Sequence, residues 1–110
     1  KGGKYEDAIR SFSGFLKNFP ESKLAANSLY WIAMSQSAMR DYKTAINTQQ
    51  KLLNLFPDSS KAPDAMLNIG MNQVEMGDNK AAKKTFADLI AKYPIAPAAD
   101  KARRLQNNLK

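Results

Sequence analysis

The chain has 110 residues, with 17 Lys or Arg against 10 Asp or Glu, and this length fits one small domain with a single core. It contains no His and no Cys, which excludes imidazole bases, the usual zinc and haem ligands, disulfides and thiolate nucleophiles. Hydrophobic residues make up 44% and charged residues 25%, which is globular rather than disordered usage. Ala and Leu far outnumber Val, Ile and Thr, so we predict helices rather than sheet.

The chain repeats itself every 37 residues. Three segments share one frame, beginning at Tyr5, Tyr42 and Asn79: YEDAIRSFSGFLKNFP, YKTAINTQQKLLNLFP and NKAAKKTFADLIAKYP. Each has Ala at its fourth position and closes on an aromatic–Pro pair. These matched residues are Ala8, Ala45 and Ala82, and Pro20, Pro57 and Pro94. Segments 24–39 and 61–76 also lie 37 residues apart, and such a fixed period is typical of a stacked repeat protein.

Apolar residues at three- to four-residue spacing predict six amphipathic helices. Their predicted bounds are near 4–18, 22–39, 42–55, 59–76, 79–92 and 96–109. Arg40-Asp41 and Gly77-Asp78 are short breaks that suit antiparallel helix pairs. The acidic and Ser residues directly after the first two aromatic–Pro pairs are predicted N-caps of the second and fourth helices. The expected fold is therefore all-α.

We expect a single domain over 1–110. Within it, 22–57 and 59–94 are predicted to be complete repeats and 96–110 a capping helix. The segment 4–20 matches the second helix of a repeat whose first helix is not in the chain. Because the chain opens on KGGKYED in mid-pattern, we expect it to be a piece of a longer protein.

These residues resemble the tetratricopeptide repeat. In that family a small residue lets the two helices of a repeat approach closely, and Ala33 and Gly70 match it. The departures are Gln residues where large aromatic residues are common: Gln36, Gln73 and Gln49. The resemblance implies a right-handed superhelix of about six antiparallel helices that binds protein partners in a concave groove.

A second resemblance is carried by the strings LYWIAM, FPDSSKAPDAMLNIG and YPIAPAADKARRL. They resemble the C-terminal repeat domain of the Tol–Pal system accessory proteins of Gram-negative bacteria, the YbgF or CpoB family. The resemblance implies a periplasmic adaptor, preceded by a coiled coil, that binds TolA. It also implies a link to a peptidoglycan synthase complex, so that envelope constriction and peptidoglycan synthesis are coordinated in cell division. Outer-membrane assembly lipoproteins share the recurring Tyr-Pro pairs. An adaptor of that assembly machinery therefore remains an alternative.

The family's groove-facing positions predict a partner-binding site along the first helix of each pair. The candidate residues are Asn27, Tyr30, Met34, Asp64, Leu67, Met71, Lys101 and Arg104. The apolar members form a strip that suits an extended peptide or an amphipathic helix, with core packing as the alternative role for some of them. Trp31, the only Trp, is predicted to anchor the core.

The charge is uneven along the chain. Residues 1–78 carry nine basic and eight acidic side chains, whereas residues 79–110 carry eight and two. The favoured interpretation of the basic residues in 79–110 is a solvated surface, followed by a binding site for an acidic protein. Binding of nucleic acid or anionic lipid is the least favoured interpretation, because the basic helices lack interleaved aromatic residues. No recognisable catalytic pair or phosphate loop occurs, so we expect no enzyme, cofactor or metal site.

The start of the chain predicts an open apolar surface. Ala8, Phe12 and Phe15 would face the first helix that is not in the chain. A terminal repeat without a polar cap is a liability for association. We therefore expect this fragment to self-associate through its first helix, as a consequence of truncation rather than of a biological assembly.

Overall fold

The computed structural model describes residues 2–109, which form six α-helices and no strand. The helices are α1 (Gly2–Asn18), α2 (Ala25–Ala38), α3 (Tyr42–Leu55), α4 (Ala62–Glu75), α5 (Asn79–Lys92) and α6 (Pro97–Asn108). Each helix packs against the next along the chain, and α4 also packs against α6. The predicted all-α class is confirmed. Lys1, and Lys110 at the end of the predicted capping helix, lie outside the described residues. No helix between residues 2 and 109 combines the length and apolar character needed to cross a membrane.

The starts of α2 and α4 differ from the prediction by three residues. After each aromatic–Pro pair the chain first makes turns, in which the hydroxyls of Ser22 and Ser59 accept hydrogen bonds from the amides of Leu24 and Lys61, both at 3.1 Å. Leu24 and Lys61 are the N-caps, and neither makes a side-chain cap bond. The N-cap predictions for these two helices are therefore wrong, because Ser satisfies local backbone amides in a turn instead.

The ends of α2 and α4 share a turn that requires a left-handed residue. The amides of Arg40 and Asp41 donate to the carbonyls of Ser37 and Gln36, both at 2.9 Å, which is the Schellman pattern. The same pattern recurs 37 residues later around Gly77. The φ angles are 65° at Arg40 and 81° at Gly77, a region that Gly adopts without steric cost.

Replacing Arg40 by Gly should therefore stabilise the chain. A left-handed non-Gly residue costs about 1 kcal/mol, and the extra freedom of Gly in the unfolded chain offsets part of the gain. We expect the thermal midpoint, followed by circular dichroism, to rise by roughly 2–4 °C. The reciprocal variant Gly77→Arg should lower it. A midpoint that falls for Arg40→Gly would show that Arg40 carries no strain.

The core consists of two clusters, one at each junction between successive helix pairs. The first contains Leu29 of α2 and Leu52 of α3, packed against Ala side chains of α4. The second contains Phe86 and Leu89 of α5, packed against Ala side chains of α6. Tyr93 packs against both clusters, and its hydroxyl donates to the Pro57 carbonyl at 2.7 Å. Successive repeats are thus joined by shared apolar burial as well as by the chain.

Two of the three Gln residues that replace the aromatic residues common in the family form equivalent hydrogen bonds in successive repeats. Thr48 Oγ1 donates to Gln36 Oε1, and Thr85 Oγ1 donates to Gln73 Oε1, both at 2.7 Å. In each pair this bond ties the second helix to the first, where an aromatic residue would otherwise pack. Gln49 differs, because it is fully buried and its Nε2 and Oε1 have no hydrogen-bond partner among residues 2–109.

Candidate protein-binding groove

The first helices of the pairs, α2, α4 and α6, lie side by side and form one face of the molecule. Between α2 and α4, Ser37 Oγ donates to Asn72 Oδ1 at 3.1 Å, and Asn68 Nδ2 lies 2.7 Å from Met34 Sδ. Between α4 and α6, the helices are in direct contact. The predicted groove residues all lie on these three helices.

Tyr30 lies at the centre of an aromatic and charged cluster on this face. Lys61 Nζ lies 4.7 Å from the ring centroid of Tyr30 and 5.6 Å from that of Trp31, and the two rings meet edge to face at 5.3 Å. Burial raises the pKa of the Tyr30 hydroxyl, the Asp64 carboxylate raises it further, and a hydrogen bond with Asn68 offsets part of the rise. The Tyr30 hydroxyl is therefore neutral at physiological pH. The Lys61 ammonium group lies over the Tyr30 and Trp31 rings, which is the geometry of a cation–π interaction.

Seven of the eight predicted groove residues keep accessible side-chain surface. Met71 is 45% exposed, and Lys101 and Arg104 of α6 are exposed. The half-buried members are Asn27, Tyr30, Met34 and Asp64. We call these seven residues the first-helix groove. Its accessible apolar part is contributed by one aromatic ring and two Met side chains, and its basic part lies on α6.

Leu67, the eighth predicted groove residue, belongs to the core. Its side chain is only 9% exposed and clusters with Phe86 of α5 and with Ala98 and Ala102 of α6. The small Ala side chains let α6 approach α4 closely enough to cover it. The prediction that Leu67 faces a partner is therefore wrong.

Trp31 departs from its prediction in the opposite direction, because it is 46% exposed rather than buried. One repeat later, the equivalent Asn68 contacts Met34 on the preceding first helix. Within residues 2–109 no first helix precedes α2, so the Trp31 ring has no such neighbour. It lines a groove between α1 and α2 together with Phe12 and Phe15.

Sequence reasoning missed the polar residues that join α2 to α4. Lys61 and Asn68 both contact Tyr30, and Asn72 bonds to Ser37. The 37-residue period could have predicted the Asn68 contact, because Asn68 is equivalent to Trp31 and therefore lies level with Tyr30 on the next first helix. Part of the surface of α2 on this face is therefore already in contact with α4 and its N-cap.

Part of the basic charge near the C-terminus is neutralised within its own helices. Lys84 Nζ pairs with Asp88 at 3.1 Å, and Arg103 pairs with Asp100 at 2.6 Å. Such exposed pairs add little stability, but they reduce the charge that these helices offer to a polyanion. Lys101 and Arg104 extend the basic surface to the α6 end of the first-helix groove.

A comparison with models of protein families matches residues 1–22, 27–59 and 64–94, most of the chain, to the tetratricopeptide repeat. The resemblance to this repeat is thus confirmed. A comparison with curated proteins gave no significant match. The helix pairs, their 37-residue period and the family match agree, so the chain belongs to the tetratricopeptide repeat family and is a protein–protein interaction module, of a kind that is generally non-catalytic.

Proposed function

We propose that the chain is the repeat domain of a periplasmic adaptor in the Tol–Pal cell-envelope system and that it binds TolA through the first-helix groove. In this role it coordinates outer-membrane constriction with peptidoglycan synthesis in cell division, with a peptidoglycan synthase complex as a second partner. The proposal is supported by the likeness of the strings that include Tyr30-Trp31-Ile32-Ala33 and the Tyr93-Pro94 turn to the Tol–Pal accessory family.

The observation that carries the first-helix groove as the docking surface is its accessible apolar strip. Exposed Met71 lies on the same face as half-buried Tyr30 and Met34. Met adapts to imperfectly matched partners, and aromatic residues are enriched among interface anchors. With Asp64 and Lys101 beside it, the strip suits the apolar face of an amphipathic helix or an extended peptide.

Titration calorimetry of this chain with purified TolA tests the proposal. Tyr30→Ala and Met71→Ala should each weaken binding by about 1 kcal/mol or more, which is roughly fivefold in Kd. Met76→Ala is the matched control, since Met76 is 51% exposed at the C-cap of α4 and is not part of the groove. Circular dichroism should show unchanged helix content in all three variants.

Full-strength TolA binding by a folded variant that combines Tyr30→Ala with Met71→Ala would exclude the first-helix groove as the site. No binding of TolA by the parent chain would favour an adaptor of another envelope machine, of the outer-membrane assembly lipoprotein type. The third hypothesis is that the chain binds nucleic acid or another anionic polymer, and it is motivated by the exposed Lys101 and Arg104. Its affinity would fall steeply with added salt, whereas an apolar groove is much less sensitive.

A further inference from the structure

A largely apolar groove lies between α1 and α2, and we call it the N-terminal groove. It has a volume of about 460 Å³ and is lined by Phe12 and Phe15 of α1, by Leu24 and Trp31, and by three uncharged polar side chains. Leu24 is 54% exposed, and both Phe side chains are half-buried. No charged residue lines it.

The 37-residue period shows what fills a groove of this shape. Phe15 is equivalent to Leu52 and Leu89, which are fully buried, and Phe12 is equivalent to Gln49 and Phe86, which are fully buried as well. In those two repeats two first helices cover the second helix, α2 and α4 over α3, and α4 and α6 over α5. For α1 only the following first helix, α2, lies within the described residues. The N-terminal groove therefore continues the stacking interface of the array and has the form that accepts a further α-helix.

The opposite end of the array does not offer such a surface. Leu29 and Ile32 of α2, which are buried, correspond by two periods to Arg103 and Gln106 of α6. Arg103 donates to Asp100 and to the Pro94 carbonyl, and Gln106 donates to the Lys83 carbonyl. These polar side chains are already engaged within the chain, so α6 is a poor surface for stacking onto the N-terminal groove of another copy.

Charge also distinguishes the two ends. Residues 79–110 carry six more basic than acidic side chains, whereas residues 1–78 carry one more. Two copies that meet through their N-terminal grooves keep the strongly basic ends apart. The lining residues are uncharged, and Lys61 Nζ lies 5.6 Å from the centroid of the Trp31 ring at the edge of the groove. A head-to-tail contact would instead bury polar, basic α6 against aromatic rings.

We propose that the N-terminal groove is a self-association site, in which two copies of this chain dock by the same surface and α1 of each copy covers the groove of the other. The contact is isologous, so it closes at a dimer. It covers Asn27, which lines both grooves, and leaves the other six residues of the first-helix groove outside the docking surface. It buries Trp31, which is half exposed in the single chain. The proposal does not depend on the proposed binding of TolA.

Sedimentation velocity and Trp emission test it together, because Trp31 is the only Trp. Between micromolar and millimolar concentrations the chain should pass from monomer to dimer, and its emission should shift to shorter wavelength over the same range. Leu24→Asp should weaken dimerisation at least tenfold, since it places a charge in an apolar contact. Ile95→Asp is the matched control, because Ile95 is 97% exposed in the turn before α6 and should have no effect.

Three results would overturn the proposal. A chain that remains monomeric at millimolar concentration with constant Trp emission does not use the N-terminal groove in this way. Dimers that survive Leu24→Asp, or open-ended oligomers, place the contact elsewhere. A monomer whose Trp31 emission responds only to an added peptide of residues 61–76, which contains α4, assigns the groove to a helix of another polypeptide.

Discussion

Replacing Gly70 by Leu should lower the thermal midpoint by roughly 8 °C, a loss of about 2 kcal/mol or more. A Cβ added to Gly70 would overlap Cε1 of Phe86 and lie 2.8 Å from its Cδ1 and Cζ. Overpacking costs about 1–3 kcal/mol, occasionally more, while removing Gly from a helix interior returns at most about 1 kcal/mol. The steric cost prevails because Phe86 is fully buried, and in a close-packed core its ring can move only by displacing neighbouring side chains.

Two variants isolate the cause of this loss. Gly14→Leu in α1 is the matched control, because nothing lies within 4 Å of the Cβ that it adds, and it should be neutral or stabilising. Adding Phe86→Ala to Gly70→Leu should cost less than the sum of the two single changes, because the overlapping ring is removed. If Gly70→Leu melts at the parental temperature, the pairing of α4 with α5 in solution differs from that described above.

The fold could be predicted because its determinants are local and repeated. The small residues Ala33 and Gly70, the two-residue breaks Arg40-Asp41 and Gly77-Asp78, and the aromatic–Pro stops are each visible in a few adjacent residues and recur at the 37-residue period. The starts of α2 and α4 differ from the prediction because Ser22 and Ser59, although Ser is a common N-cap residue, accept hydrogen bonds within the preceding turns. Composition alone does not separate these two uses of Ser.

The candidate site was only partly predictable, because contacts between repeats decide which side chains remain accessible. Helical spacing alone places Tyr30 and Met71 on the first-helix face. The burial of Leu67 depends on Ala98 of α6 approaching α4, and the exposure of Trp31 depends on which helix precedes α2. Both outcomes depend on other helices. Helical spacing therefore predicts the face on which a side chain lies but not how deeply it is buried.

Gln49→Met should stabilise the chain by about 1–2 kcal/mol, a rise of roughly 4–8 °C in the thermal midpoint. The Gln49 side chain is fully buried, and neither amide atom has a hydrogen-bond partner among residues 2–109. An amide removed from water without compensation costs about 1–3 kcal/mol, and unbranched Met keeps its shape without that cost. The period supports an apolar choice, since Phe86 takes the equivalent position one repeat later.

Gln36→Met is the matched control for this prediction, because it makes the same change in the same helix pair. Gln36 accepts a hydrogen bond from Thr48 at 2.7 Å, so its loss should destabilise the chain by about 1 kcal/mol.

Gln49→Phe should be tolerated less well than Gln49→Met, because Ala33 carries a Cβ where the Phe86 repeat has Gly70. Adding Ala33→Gly should then restore part of the loss, a favourable coupling that a double-mutant cycle measures. Equal destabilisation by Gln49→Met and Gln36→Met would mean that the Gln49 amide is hydrogen-bonded in solution, and the explanation from unsatisfied burial would fail.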